Sequence, residues 1–173
     1  MTTQTRKKDR AELQLRITHL FDAPRELVWD AWTKVEHLSQ WWGPEGFTNT
    51  CDVDLRPGGS FRIDMKGPDG KMFPAPGTVV EVREYELLAF SQTPVDAAGN
   101  GLFEVLQTVV FGEQGSKTLL TLTAQVVSTT PAGDEFLADL GESWATVASR
   151  VIEQSLGKLE RRLDMLVSEK VRP

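Results

Sequence analysis

The sequence predicts one α+β domain, in which a curved antiparallel sheet of about six or seven strands packs against a long C-terminal helix. Between positions 48 and 127, short runs of alternating apolar and polar residues are separated by strong turn signals, which is typical of an antiparallel meander. From position 133 onward the apolar residues recur every three or four positions, which indicates an amphipathic helix.

The predicted elements follow one another in a simple order. A first strand at 13–21 is followed by two short helices at 24–34 and 35–41, which precede the second strand. Further strands are predicted at 48–56, 60–66, 72–73 with 78–84, 87–93, 103–111 and 117–127. Asp134 is expected to cap a single helix of about 30 residues, roughly 45 Å long, that ends the domain.

Composition limits the classes of function. The chain has 173 residues and a net charge of -6, so a nucleic-acid partner, which calls for a basic surface, is not expected. No stretch approaches the roughly 20 apolar residues of a membrane span, and the single cysteine, Cys51, excludes an intramolecular disulfide. We therefore expect a cytoplasmic monomer or homodimer, with a domain at 12–168 and tails at 1–11 and 169–173, the first of them disordered.

This order of elements predicts an internal cavity. A helix about 10 Å wide does not fill the hollow of a wide twisted sheet, so the remaining volume holds either large side chains or a ligand. A small apolar molecule is the expected partner. The predicted ligand-binding residues are Trp42, Phe47, Phe61, Ile63, Met65, Phe90, Phe103, Gln107, Val109, Leu140, Trp144, Val147 and Val151.

Gln107 is the most informative polar residue, because it interrupts the apolar face formed by alternate residues from Phe103 to Phe111. A buried amide is costly unless it finds hydrogen-bond partners. It is expected to bond a neighbouring side chain or a buried water, or else to orient a polar group of a ligand. The two histidines, His19 and His37, lack neighbours at metal-ligand spacing, so neither a metal site nor a cofactor is expected, and no catalytic residue is identified.

Several motifs resemble the SRPBCC superfamily of START, polyketide-cyclase and pollen-allergen domains, and within it the homologues of the activator of heat-shock protein 90 ATPase. The matching stretches are FDAP at 21–24, VWDAWT at 28–33, WWGPEGF at 41–47, DLRPGGSF at 54–61, GPDG at 67–70, TLLTLT at 118–123 and SLGKL at 155–159. The resemblance covers residues 13–166 and implies a helix-grip fold with a cavity between the sheet and the long helix.

The resemblance implies binding of a lipid-like, aromatic or polyketide-like ligand. Two alternatives remain: an enzyme of the cyclase or hydrolase type acting in the same cavity, and a chaperone-interacting module like the activators that give the family its name. The chain departs from the family pattern just before the Ser-Leu pair of the last helix. Val151 and Ile152 stand where relatives often have a Gly-Trp pair, so the cavity wall there is expected to differ from theirs.

Overall fold

A computed structural model describes residues 10–171; the predicted tail residues 1–9 and 172–173 lie outside this range. After a 3-10 turn at Arg10–Glu12, the elements are β1 Gln14–Phe21, α1 Arg25–Thr33, α2 Val35–Leu38, β2 Thr48–Val53, β3 Phe61–Lys66, β4 Met72–Phe73, β5 Gly77–Arg83, β6 Leu87–Gln92, β7 Phe103–Gln114, β8 Lys117–Thr129, α3 Pro131–Asp139 and α4 Trp144–Val171. Helix α4 thus continues past residue 168, the predicted end of the domain.

All strand pairs are antiparallel, and they form two sheets with the orders β1-β8-β7-β6-β5 and β2-β3-β4. The sheets adjoin where Ser60 bridges Thr78 and where Val79 N donates to Gly59 O at 2.8 Å. The predicted α+β architecture is confirmed, but its sheet divides between β3 and β5. The segment before β5 contains Pro74 and Pro76, which cannot donate backbone hydrogen bonds to a continuous ladder.

The inward face of the larger sheet follows from the alternation of its sequence. On β7 every second side chain from Phe103 to Phe111 is buried, and on β8 the same holds from Thr118 to Val126. Helix α1 packs against one end of these strands, where Trp29 and Trp32 meet Phe111 edge-on with ring centroids 5.1 and 6.4 Å away. This end of the molecule is a dense aromatic core.

The prediction of one helix from Asp134 onward is wrong. The chain forms two helices, and α3 is capped by Thr130, whose side chain accepts a hydrogen bond from Gly133 N at 3.1 Å, rather than by Asp134. Gly141 has a φ of 71°, a left-handed conformation that ends α3. Ser143 then begins α4, since its Oγ accepts from Thr146 N at 3.1 Å.

The long C-terminal helix itself is confirmed. It buries Ser155, Leu156, Leu159 and Leu163 and runs beside β1, where His19 and Glu160 approach to 3.7 Å. Within residues 10–171, no helix is both long enough and apolar enough to cross a membrane.

Candidate ligand-binding site

Burial falls along the concave sheet from one end to the other. At the end next to α1, which we call the closed end, Val109 and Phe111 expose 0% and 2% of their surface. At the end where α3 and α4 begin, which we call the open end, Phe103, Val105 and Gln107 retain 5%, 6% and 8%. All five side chains are buried, and those at the open end retain slightly more accessible surface than those at the closed end.

Burial along helix α4 also decreases toward the open end. The residues Trp144, Val147 and Val151 of its first turns are only half-buried, whereas Leu159 and Leu163 further along are fully buried. Trp144, like Leu140 before it, packs against the buried core; Val147 and Val151 are not among the residues of the described chain that do so. Sheet and helix thus leave apolar surface unburied at the same end of the molecule.

An aromatic group separates the two ends. The Phe61 ring stacks on Phe90 with centroids 4.0 Å apart, and Trp42 lies over Phe90 at 6.2 Å. Trp41 is buried, while its neighbour Trp42 is half-buried. Phe61 and Phe90 have no accessible surface, because neighbouring side chains cover them, whereas Trp42 keeps part of its surface accessible.

The other predicted apolar residues differ in burial and in position. Ile63 and Val109 are completely buried and belong to the packed core. Met65 is half-buried, and its sulfur lies so close to Gly43 that a Cβ there would sit 2.9 Å away. Phe47 packs against Phe73 of the small sheet, with ring centroids 5.8 Å apart, so the structure places it beside the β4 edge instead of among the central aromatic rings.

Gln107 forms a buried pair that the sequence analysis did not identify. Its Nε2 donates to Oε1 of Gln92 at 3.1 Å, so its partner is a neighbouring side chain, as one of the alternatives anticipated. The Nε2 of Gln92 has no hydrogen-bond partner among the residues described. Gln92 follows Leu88 and Phe90 at two-residue steps on β6, so the alternation that identified Phe90 also places this amide on the concave face.

Segment 43–47, which directly follows Trp42, is hydrogen-bonded to the side of α4. Gly43 N donates to Ser155 Oγ at 3.0 Å, and Glu45 N donates to Gln154 Oε1 at 3.1 Å. The Lys158 ammonium donates to the carbonyl of Gly43 at 3.3 Å. Val147 and Val151 precede Ser155 at four-residue steps, which puts them on the same flank of the helix as Ser155.

Charged groups reinforce this attachment. Arg161 donates a hydrogen bond to Glu45, which holds the pKa of that exposed carboxyl below its ordinary value. Partial burial lowers the pKa of Lys158, because it disfavours the charged ammonium. The lowered pKa keeps the Glu45 carboxyl ionised at neutral pH, where water screens its exposed pair with Arg161.

Ionisable side chains lie away from the concave centre. The inward positions of β6 and β7, two fully described strands, carry apolar residues and the two glutamines. His19 faces Glu160, and His37 Nδ1 lies 3.3 Å from Arg162 on α4. Across residues 10–171, no three His, Cys, Asp or Glu side chains are placed to hold a metal ion.

Two shallow surface grooves flank the start of β1 and lie outside the predicted site. One, of about 470 Å³, runs along the outer face of the larger sheet past Arg16 and Thr123. The other, of about 620 Å³, separates Arg16 from Arg150 and Glu153 on α4. Neither groove is lined by any of the predicted ligand-binding residues.

The sequence matches one known protein family over most of its length. Residues 22–163 match the family described as activator of Hsp90 ATPase homolog 1-like protein. The chain belongs to this family. No curated protein matches it. The matched range includes every predicted ligand-binding residue, and the family assignment confirms the resemblance noted from the motifs.

Solved structures of similar proteins support the helix-grip fold of this activator-homologue domain. A protein from Nitrosomonas europaea has 25% identity and a TM-score of 0.72, with 91% of this chain and 98% of that chain covered. A protein from Mycobacterium smegmatis has 26% identity and a TM-score of 0.70, with 91% and 94% covered. The AHSA1 protein from Silicibacter pomeroyi, at 22% identity and a TM-score of 0.71 over 88% and 98%, is similar in fold.

The cysteine of this activator homologue is expected to react slowly. Cys51 is half-buried on β2, where its Sγ donates to Asn49 Oδ1 at 3.0 Å. Burial, with a smaller contribution from the Asp64 charge, raises the pKa of the thiol to about 12. Because the thiolate is the reactive form, its lower fraction at pH 8 predicts labelling by a disulfide reagent about three orders of magnitude slower than in the urea-unfolded chain.

The pH dependence gives a second readout for Cys51. Its folded-state pKa lies above that of the unfolded thiol, so the associated stability is present below about pH 8.5 and is lost as the pH rises toward 12. A Cys51→Ala variant should lose stability less steeply over this range. A native labelling rate within about tenfold of the unfolded rate would contradict the assignment.

Proposed function

We propose that the chain binds a small hydrophobic molecule at the open end, between the concave sheet and the first turns of α4. The observation that carries the proposal is that burial decreases toward the open end on both the sheet and α4. Phe103, Val105 and Gln107 on the sheet retain accessible surface where Trp144, Val147 and Val151 are half-buried. Apolar surface left on both sides of one space is what an apolar ligand covers.

The energetics favour an apolar ligand at this place. Burying about 200 Å² of apolar surface contributes about 5 kcal/mol before the cost of association is subtracted. The neighbouring inward positions of β6 and β7 carry no ionisable group, so a charged ligand would find no counter-charge on the sheet side of this space. A neutral lipid-like, aromatic or polyketide-like molecule fits these conditions, and the family membership agrees with this use of the fold.

The test uses N-phenyl-1-naphthylamine, a neutral dye whose fluorescence rises in apolar surroundings. A Val151→Arg variant should weaken dye binding by about tenfold or more, because the arginine occupies the space and brings an unpaired charge into it. Val151 is half-buried, so the variant is expected to fold. The dissociation constant is measured by fluorescence titration of the full chain.

Val110→Arg is the matched control, because it makes the same change on the outer face of β7, where Val110 is exposed. This variant should bind the dye like the unmodified chain. Absence of dye binding to the unmodified chain, or equal weakening by both substitutions, would refute a site at the open end. Circular dichroism of both variants confirms that a difference in binding does not come from unfolding.

A further inference from the structure

The second amide of the buried pair lacks a partner. Gln92 and Gln107 expose only 6% and 8% of their surface, and the bond between them uses Nε2 of Gln107 and Oε1 of Gln92. The Nε2 of Gln92 is a buried donor with no acceptor in the part of the chain described. Leaving such a donor unsatisfied is costly, and most buried polar groups in folded proteins do have a partner.

The surroundings of Gln92 determine which kind of acceptor can form a hydrogen bond with its Nε2. Gln92 stands opposite Val105 in the register, and Phe90 stands opposite Gln107, so the amide pair lies among apolar side chains at the open end. An ionised acceptor would gain one hydrogen bond here but would lose its hydration without meeting a cation from β6 or β7, both of which are fully described. A neutral oxygen has no such cost.

We infer that Gln92 is a specificity-determining residue, whose Nε2 donates to a neutral acceptor oxygen, such as a ketone or ester carbonyl, on an otherwise apolar ligand. The inference rests on the proposed function and adds the chemical class of the ligand. Nε2 has almost no accessible surface in this structure. The donation requires the terminal amide, whose torsion is soft, to turn toward the ligand and to give up the hydrogen bond that its Oε1 accepts from Gln107.

Two probes of the same shape test this chemistry. 2-Acetonaphthone and 2-ethylnaphthalene differ only by a carbonyl in place of a methylene group, and the dissociation constant of each is obtained by displacement of N-phenyl-1-naphthylamine. Selectivity is the ratio of the constant for 2-ethylnaphthalene to that for 2-acetonaphthone. Differences in probe hydration cancel when this ratio is compared between protein variants.

The double variant Gln92→Leu/Gln107→Leu should reduce the selectivity about tenfold, the usual worth of one hydrogen bond in a buried site. Both amides are removed because Gln92→Leu alone would free Nε2 of Gln107 as a substitute donor. Replacing both partners by apolar groups of similar size preserves folding. The single variant Gln107→Leu keeps the Gln92 amide and should retain the selectivity.

The outcomes separate the inference from the proposed function. Unchanged selectivity in the double variant, with both probes still displacing the dye, would overturn the role of Gln92 and leave the hydrophobic site intact. Loss of selectivity in Gln107→Leu alone would assign the donor to Gln107 and likewise overturn it. Failure of the unmodified chain to bind the dye would overturn the proposed function, and the inference with it.

Discussion

Replacing Gly133 with alanine is expected to destabilise the fold by about 3 kcal/mol. Gly133 lies in the first turn of α3, and a Cβ on it would sit 1.6 Å from the carbonyl oxygen of Leu102. That carbonyl also accepts hydrogen bonds from the backbone and side chain of Thr130, each at 3.0 Å. The added methyl group must therefore push α3 away from the strand that follows Leu102, which weakens the capping and the packing of Leu137 together.

Gly157→Ala is the matched control for this substitution. It makes the same change in α4, where a Cβ would meet no heavy atom within 4 Å. Alanine is the better helix former there, so we expect stabilisation by up to about 1 kcal/mol. Urea unfolding of the two variants should thus shift the midpoint in opposite directions at similar slope. A Gly133→Ala midpoint equal to that of the unmodified chain would contradict the close packing of α3.

The strands were predictable because alternation is a local property. A residue on a strand points to the face opposite that of its neighbours, so the pattern from Phe103 to Phe111 indicated the buried side of β7 without any tertiary information. The same reasoning reached Phe90 and Gln107; continued two residues along β6, it would also have reached Gln92, which the sequence analysis did not name. The unpartnered nitrogen of Gln92 was not predictable, since it depends on what surrounds the amide in three dimensions.

The break between α3 and α4 was missed for a physical reason. Leu137, Leu140 and Trp144 continue the spacing of three and four across the break, because both helices direct apolar residues toward the same core. The local signals were Gly141 and Ser143, a typical helix end followed by a typical helix start. Periodicity alone does not distinguish one long helix from two helices that share a core.

The attachment of segment 43–47 to α4 could not be derived from the sequence. Gly43 and Ser155 are hydrogen-bonded across 112 positions, and neither lies in a pattern that specifies the other. The different burial of the neighbouring tryptophans has a local cause, because adjacent residues at a helix end point in different directions. Trp41 is buried, and Trp42 remains half-buried beside the proposed site.

The pair Trp41→Phe and Trp32→Phe should have clearly unequal effects, although the two tryptophans are equally buried at 1% exposure and meet edge-on with centroids 4.8 Å apart. Trp41 Nε1 donates to the carbonyl of Ala31 at 2.9 Å. Ala31 lies in the last turn of α1, where carbonyls have no helical donor, so Trp41→Phe leaves a buried acceptor unpaired. Each substitution also loses about 1–2 kcal/mol of apolar burial.

Trp32→Phe carries no such additional loss, because Nε1 of Trp32 has no partner anywhere in residues 10–171. Removing that buried donor offsets part of the lost packing. We expect Trp41→Phe to be the more destabilising substitution by about 2 kcal/mol in urea unfolding. Equal losses, or a larger loss for Trp32→Phe, would mean that the Trp41 bond to α1 contributes nothing net and that the density of the aromatic packing alone stabilises the closed end.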